Sequence, residues 1–236
     1  IISNQVNFGV QYDDKNMTSE ITIFHREISH LADFSRLQFP SDTYKDQNRR
    51  TNEDNYYLGS GMSRGLELMI QKKTGFIRGW SSYSYGLTEY YFPDSSINHG
   101  IVFSANHDRT HEIKSVVTSS YKNWDMTLSW IFSSGTVFTS EGMQGSSDIF
   151  PISIIPDSSV KMNSERLPFI RRVDVSITKH FRFVSMNWEM GLSVFNLFGR
   201  KNVSHKKYIT SENSEIVTTN VEMLGFTPTF HIRLSI

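Results

Sequence analysis

The sequence predicts an all-β chain that forms part of an antiparallel transmembrane β-barrel. Two observations support this fold class: the alternation of residue types near the end of the chain, and the spacing of the strands. Residues 224–236 alternate without exception between apolar side chains and small or polar ones. Such alternation is typical of a strand with one apolar and one polar face. A membrane-spanning strand needs about 9–11 residues, and this segment is long enough.

The spacing of the strands is the second observation. The alternation recurs along the chain and predicts nine strands. The connections between them alternate strictly between short and long. Outer-membrane barrels have short periplasmic turns and longer extracellular loops, which produces this order. Soluble β-sandwiches do not sort their connections by side so regularly.

Each element follows from the local pattern. Apolar and polar residues alternate in most of the predicted strands, although the alternation blurs after Phe24, and turn-forming residues separate the strands. In chain order we predict a strand at 6–12, a turn at 13–16, a strand from Met17 past Ile23, a polar stretch at about 33–60, a strand at 66–70, a turn at 73–75, a strand within 76–92, a polar stretch at about 93–108, strands at 112–121 and 124–133 joined at 122–123, a polar stretch at about 140–168, a strand at 172–183, a turn near Ser185, a strand from Trp188, a polar stretch at about 211–218, and the terminal strand.

The eighth strand has no clear end. Its pattern allows it to continue past Gly199 towards Tyr208. A tenth strand hidden within residues 200–220 would make the strand count even.

Composition excludes several classes of protein. The chain has 24 basic residues (Lys plus Arg) and 24 acidic residues (Asp plus Glu). It therefore lacks the excess of basic residues that would indicate nucleic-acid binding. Cysteine is absent, which excludes disulfides and cysteine-based metal sites. The chain contains no run of about 18 apolar residues, which is the length that would indicate a transmembrane helix. The mean hydropathy of −0.37 fits barrel strands, because alternation keeps their average low.

Aromatic residues cluster beside the predicted short turns. Amphipathic rings settle at the depth of the lipid headgroups, so we interpret this cluster as an interfacial girdle. Lys179 is an exception on the outward face, where its long stem can snorkel to the interface. The girdle residues are Tyr12, Phe76, Trp80, Tyr121, Trp124, Phe181, Phe183 and Trp188.

Strand parity predicts where the two ends of the chain lie. If the short turns are periplasmic, the ninth strand ends in the periplasm and Ile1 lies at the extracellular rim. Single-chain bacterial barrels have an even number of strands. We therefore expect residues 1–236 to be the C-terminal part of a larger barrel, interrupted in an extracellular loop.

Several segments resemble recurring strands of TonB-dependent outer-membrane transporters. The most specific is Asn196-Leu197-Phe198, within residues 194–202. The resemblance covers about residues 60–236, and the first 60 less clearly. The other matching segments are 63–72, 107–111, 124–130, 134–139 and 171–176.

The resemblance implies a barrel of about 22 strands closed by a plug domain. The chain would supply about nine C-terminal strands, while the plug and the first strands are absent from it. The function implied is binding of a scarce extracellular ligand and its import across the outer membrane of a Gram-negative cell, with energy supplied by TonB. The implied partners are the rest of the barrel, the plug, TonB through the plug, and outer-membrane lipid. A surface lipoprotein is left open as a further partner, and Ile236 stands where the family commonly has an aromatic residue.

Two sets of candidate site residues follow. Residues expected in the extracellular loops have side chains suited to stacking and to anion binding. Residues expected to face the lumen form a wall of mixed charge that either contacts the plug or is solvated. The candidate ligand-binding residues are Tyr44, Arg49, Arg50, Tyr56, Tyr57, Tyr90, Tyr91, Phe92 and His99. The candidate lumenal residues are Glu67, Gln71, Glu112, Lys114, Asp125, Arg172, Asp174, Glu189, His231 and Arg233.

We expect no enzyme activity, no catalytic group, no metal and no cofactor. His107 and His111 would lie about 13 Å apart in a strand, which is too far to share an ion. The sequence leaves the transported ligand open among siderophore, cobalamin, oligosaccharide and peptide. Two other functions remain open: a small self-contained outer-membrane porin or barrel hydrolase, and a soluble all-β binding protein.

Overall fold

The computed structural model describes residues 1–34, 56–94, 97–139, 143–145, 154–156, 161–210 and 216–235. Within these residues nearly all regular structure is β. The elements are β1 Ile2–Asp13, β2 Met17–Phe34, β3 Tyr56–Lys72, β4 Ile77–Tyr91, a 3₁₀ turn Asn98–Gly100, β5 Phe103–Ser104, β6 His111–Tyr121, β7 Trp124–Ser133, β8 Val137–Phe138, β9 Met143–Gly145, β10 Ile154–Pro156, β11 Glu165–Arg166, β12 Ile170–Phe183, β13 Met186–Phe195, β14 Val203–Thr210, β15 Ile216–Glu222 and β16 Thr227–Ser235. No helix of this described part is long and apolar enough to cross a membrane.

One large antiparallel sheet dominates the fold. Its strands follow the order β1-β2-β3-β4-β6-β7-β12-β13-β16. The short strand β5 pairs with Glu89 and Tyr90 of β4. The nine strands of this path correspond to the nine strands that the alternation predicts. Among the described residues the sheet does not close on itself, and β1 and β16 form its two edges. The all-β, antiparallel fold is thereby confirmed.

The two ends of the sheet differ. We call the end with residues 14–16, 73–76, 122–123 and 184–185 the turn end, because short turns join the strands there. The opposite end, where all the long connections lie, is the loop end. Three pairs of short strands lie in the connections at the loop end: β8 with β11, β9 with β10, and β14 with β15.

Several of the predicted strand limits are wrong, and β3 begins at Tyr56, inside the stretch predicted to be a polar connection. The eighth strand of the path ends at Phe195 and does not continue towards Tyr208. Residues 203–210 instead form β14, which pairs with β15 in a hairpin separate from the main sheet. The sheet path therefore gains no tenth strand from this region. The terminal strand β16 begins at Thr227, later than predicted.

The register gives the sheet one apolar and one polar face. A row such as Val10, Ile21, Leu68, Tyr83 and Ile113 crosses five neighbouring strands on the same side. We call this side the apolar face. Its side chains lie open in the isolated chain, so this face needs an apolar environment such as lipid to cover it.

Aromatic rings mark the turn end of the apolar face. The rings of Phe181 and Trp188 stack with centroids 6.3 Å apart. The Lys179 ammonium lies 5.0 Å from the centre of the Trp124 ring, next to the turn end, as expected for a snorkelling lysine. Trp80 departs from the predicted girdle, because it pairs in register with Gln71 and Val116 and so lies on the polar face.

The first turn is held by the side chain of Asp14. Its Oδ1 accepts hydrogen bonds from the backbone N–H groups of Asn16, at 2.6 Å, and Met17, at 2.7 Å. These donors favour the ionised carboxylate and hold the pKa of Asp14 below its ordinary value. An aspartate that caps its own turn is the usual chemistry of such a short connection.

Close packing on the polar face depends on a glycine. Gly65 lies beneath the ring of Phe24, and a Cβ at this position would stand 2.7 Å from Phe24 Cζ. The same Cβ would stand 2.2 Å from the carbonyl oxygen of Tyr85 in the adjacent strand. Only a residue without a side chain fits between this ring and the neighbouring backbone.

Replacement of this glycine should destabilise the sheet. We expect Gly65→Ala to lower the free energy of unfolding by about 1–3 kcal/mol, because a backbone carbonyl must move. The measurement is the unfolding midpoint followed by tryptophan fluorescence. Gly225→Ala is the matched control, since no atom lies within 4 Å of its added Cβ. Equal midpoints for the two variants would contradict this account of the packing.

Candidate functional site

All ten candidate lumenal residues lie on one face of the sheet. Register places Gln71 in a row with Asp174, and Lys114 in a row with Arg172. This side, opposite the apolar face, is the polar face. Its other members from the prediction are Glu67, Glu112, Asp125, Glu189, His231 and Arg233.

A cluster of charged and titratable side chains lies on the polar face at the turn end. Glu189 is its centre, with Oε1 3.2 Å from His231 Nε2 and Oε2 3.5 Å from an Arg233 guanidinium nitrogen. His180 lies 3.9 Å from Glu189 through Nδ1 and 2.8 Å from Asp125 Oδ2 through Nε2. The cluster therefore joins four consecutive strands of the path by side-chain contacts.

His231 is held flat against the wall. A Cβ on Gly191 would stand 2.0 Å from His231 Cε1, so the imidazole fills the space above this glycine. His180 is missing from the predicted set, although its alternation with Phe181 places it on the polar face. Its role depends on partners in neighbouring strands, which the local pattern does not reveal.

A second group of contacts lies nearer the loop end of the polar face. Arg172 Nε donates to Asp174 Oδ2 at 3.0 Å, and the guanidinium also lies 4.2 Å from the Phe195 ring centre. The other carboxylate oxygen of Asp174 accepts from the backbone N–H of Asn196 at 2.8 Å. Asp174 therefore connects the wall to the corner at which β13 ends.

The polar face carries many charged side chains, and several of them are paired. Several of its carboxylates meet arginine, lysine or histidine on the same or the next strand, as in the 2.6 Å contact between Glu112 and Lys114. In the described part of the chain, no three His, Cys, Asp or Glu side chains are grouped to hold a metal ion. Such a wall suits contact with water or with a polar domain inside the lumen.

The predicted ligand-binding residues separate into three groups. Tyr44, Arg49 and Arg50 lie outside the described residues. Tyr56 is the first residue of β3, and its side chain is likewise outside the described part.

Three of the aromatic candidates take part in a small apolar core at the loop end. Phe92 is only 1 % exposed and packs with Ile97 and Phe103, while Tyr57 and Tyr90 pack against the outside of this group. The burial of Phe92 indicates a packing role for its ring. Tyr90 keeps part of its ring accessible on the polar-face side.

The remaining candidates are exposed. Tyr91 is 41 % exposed and belongs to the side of the sheet that carries the apolar face. His99 is an exposed residue of the 3₁₀ turn, with a φ of 57°. Tyr90 and Tyr91, adjacent in β4, thus point to opposite sides of the sheet.

An ion pair between a buried carboxylate and a partly exposed guanidinium braces the long connections at the loop end. Asp108 is 3 % exposed, and its Oδ2 lies 2.6 Å from an Arg166 guanidinium nitrogen. Oδ1 of Asp108 accepts from the backbone N–H of Thr88 at 2.9 Å, and Arg166 also donates to the Gly135 carbonyl at 2.8 Å. The pair therefore joins β4 to two different connections. Sequence reasoning did not single it out, because its members are far apart in the chain.

Two asparagines extend this bracing. The Asn98 side-chain oxygen accepts from the backbone N–H of Met162 at 2.7 Å. The Asn163 amide donates to the carbonyl of Ser104 and to the side chain of Asn106, both at 2.7 Å. Residues 161–167 thereby lie as a strap across the connection between β4 and β6.

Together the two-faced sheet, the short turns at one end and the braced connections at the other define an antiparallel sheet with the features of a β-barrel wall. No protein-family model and no curated protein matches the sequence. The comparison with solved structures, however, finds several that share the fold.

Three of these structures are transporters or receptors for iron compounds. The ferric citrate transporter FecA in its unliganded form superposes with a TM-score of 0.60 at 14% identity, covering 98% of this chain and 30% of that one. The FrpB iron transporter from Neisseria meningitidis (F3-3 variant) gives 0.56 at 12% identity, with 98% and 30% covered. The ferripyoverdine receptor of the outer membrane of Pseudomonas aeruginosa, bound to ferripyoverdine, gives 0.56 at 10% identity, with 98% and 27% covered.

These likenesses show the fold. The chain spans less than a third of the length of each of these proteins. Almost all of it takes part in each match, so the whole chain has the architecture of one portion of such a barrel.

Loss of the buried charge should loosen the strap. We expect Asp108→Asn to speed amide hydrogen exchange over residues 161–167 by about tenfold, since a lost charged hydrogen bond is worth about 1.5–3 kcal/mol and Arg166 retains other acceptors. Glu222→Gln is the control, because it removes an exposed ion pair with Lys201, and such pairs contribute little. Unchanged exchange in Asp108→Asn would show that the pair does not hold the strap.

Proposed function

We propose that the chain is part of an outer-membrane active transporter that binds a scarce extracellular ligand and imports it with energy supplied through TonB. The observation that carries the proposal is the two-faced, nine-strand sheet, which matches portions of three iron transporters or receptors over nearly its whole length. The resemblance of residues 194–202 to the same family supports it independently.

The two faces would have different partners. The apolar face would contact outer-membrane lipid, as its exposed Phe8, Phe230 and Ile232 require. The polar face would contact a plug domain, through the cluster around Glu189 and the pair of Arg172 with Asp174. The rest of the barrel would pair with the edges of β1 and β16, whose outer backbone groups have no strand partner within the described residues.

The loop end would receive the ligand. Tyr90 on the polar-face side and His99 in the 3₁₀ turn are the described candidates best placed for a first contact. Of the ligand classes left open by the sequence, a ferric chelate is favoured, because the three structurally similar proteins carry iron compounds in their names.

Uptake of labelled iron tests the proposal. We expect deletion of the gene that encodes this chain to reduce uptake of radioactive iron, supplied as ferric citrate or as ferripyoverdine to iron-starved cells, by at least about tenfold. A loss of that size is expected if the transporter is the main route, because binding and energy coupling are lost together. Uptake should return on complementation and stop when an uncoupler collapses the inner-membrane gradient. Unchanged uptake of both probes in the deletion strain would contradict transport of a ferric chelate.

The two competing functions give different results with the purified full-length protein. A self-contained porin would conduct ions steadily in a planar bilayer, whereas a plugged transporter would not. A soluble binding protein would stay monomeric without detergent. The proposed transporter would require detergent and show no steady conductance.

A further inference from the structure

Two arginines meet at one aromatic ring on the outward side of the sheet. The Arg171 guanidinium lies 4.2 Å from the centre of the Phe169 ring, and that of Arg200 lies 5.5 Å from the same centre. Phe169 itself is 40 % exposed. Two cations thereby stand at one accessible ring.

The site borders the apolar face. Arg171 pairs in register with Phe132, one step towards the loop end from the pair of Val173 with Trp130. Through Phe132 it stands at the β12 end of the row that contains Ile113 and Tyr83, so the arginine adjoins apolar side chains of the apolar face. Its side chain points away from the polar face, and so away from any ligand that passes through the lumen.

Neither arginine is neutralised nearby. Among the described residues, Arg64, Arg166, Arg172 and Arg233 each have a carboxylate partner. The guanidinium groups of Arg171 and Arg200 have no carboxylate partner in that part of the chain, and both lie near the Phe169 ring. Two like charges near one ring raise the local positive potential, which favours binding of an anion.

Buried asparagines fix the backbone at both arginines. Asn202 is 2 % exposed, and its side chain accepts from the Arg171 N–H at 3.0 Å and donates to the Arg171 carbonyl at 2.9 Å. Asn196 is 1 % exposed and bonds the backbone of Arg200 in the same two ways, at 3.2 Å and 2.9 Å. The two positions are therefore set in advance by buried hydrogen bonds.

We infer that Arg171 and Arg200 form a binding site for a phosphorylated lipid headgroup of the outer leaflet. The guanidinium fork matches the oxygens of phosphate, and basic sites next to an apolar membrane surface recognise anionic headgroups. The exposed apolar residues Phe198 and Phe226 lie near the site and would meet the acyl region. The inference rests on the proposed membrane location.

Native mass spectrometry of the detergent-solubilised full-length protein tests the site, with lipid A as the probe. We expect Arg171→Gln combined with Arg200→Gln to weaken lipid A binding by about tenfold, the value of one charge-assisted hydrogen bond. Arg64→Gln is the matched control, because Arg64 lies on the same side of the sheet but is paired with Glu89. It should leave lipid A binding unchanged.

Dephosphorylated lipid A provides the second arm. It should bind the parent about as weakly as lipid A binds the double variant. The site is overturned if lipid A binds the double variant as tightly as it binds the parent. It is also overturned if the two substitutions weaken the binding of dephosphorylated lipid A as much as they weaken the binding of lipid A. If the double variant lacks heat-modifiable mobility on gels, the two single variants decide, since each must weaken binding by itself.

Iron uptake separates this inference from the proposed function. The double variant should transport ferric citrate like the parent, because the site faces away from the lumen. If the protein inserts and transports iron but binds phosphorylated and dephosphorylated lipid equally, only the inferred headgroup site is contradicted. If the protein stays soluble without detergent, both the headgroup site and the proposed transport function are contradicted.

Discussion

The continuous register between neighbouring strands is the constraint on which the other features depend. Because successive side chains of a strand point to opposite sides, a slip of one residue would exchange the two faces over a whole strand. In the observed register, apolar side chains of neighbouring strands fall on one side of the sheet, and every candidate lumenal residue falls on the other side. The apolar face, the polar face and the outward direction of Arg171 all follow from this pairing.

At the loop end, buried polar side chains satisfy the backbone hydrogen-bonding groups that strand pairing satisfies within the sheet. Connections there lack alternation, so their backbone groups need other partners. Four buried side chains supply them by bonding backbone atoms of segments distant in the chain, namely Asn98, Asp108, Asn196 and Asn202. The segment Asn196-Leu197-Phe198 therefore has a local explanation, since Asn196 ends β13 and ties the corner to the carbonyl of Leu224.

Sequence reasoning succeeded where periodicity carries information and failed where it does not. All nine strands of the path and the side of each lumenal residue were predictable from alternation. Trp80 was assigned to the girdle because it lies near a turn, although its register places it on the polar face. The extension of β13 was wrong because Asn196, with a φ of 54°, turns the chain. The candidate aromatics of the loop end gave no signal to distinguish the buried Phe92 from the exposed Tyr91.

The order of residues is enough to predict the fold class, the short turns and the division of side chains between two faces. It is enough because strand geometry imposes a period of two that is visible in the residues themselves. The pairing of charges, such as Asp108 with Arg166 and Glu189 with His231, is visible only in the folded chain. The tertiary structure also shows that Arg171 and Arg200 share one aromatic ring. Contacts of this kind join residues from separate strands and connections, and no local pattern records a distance between them.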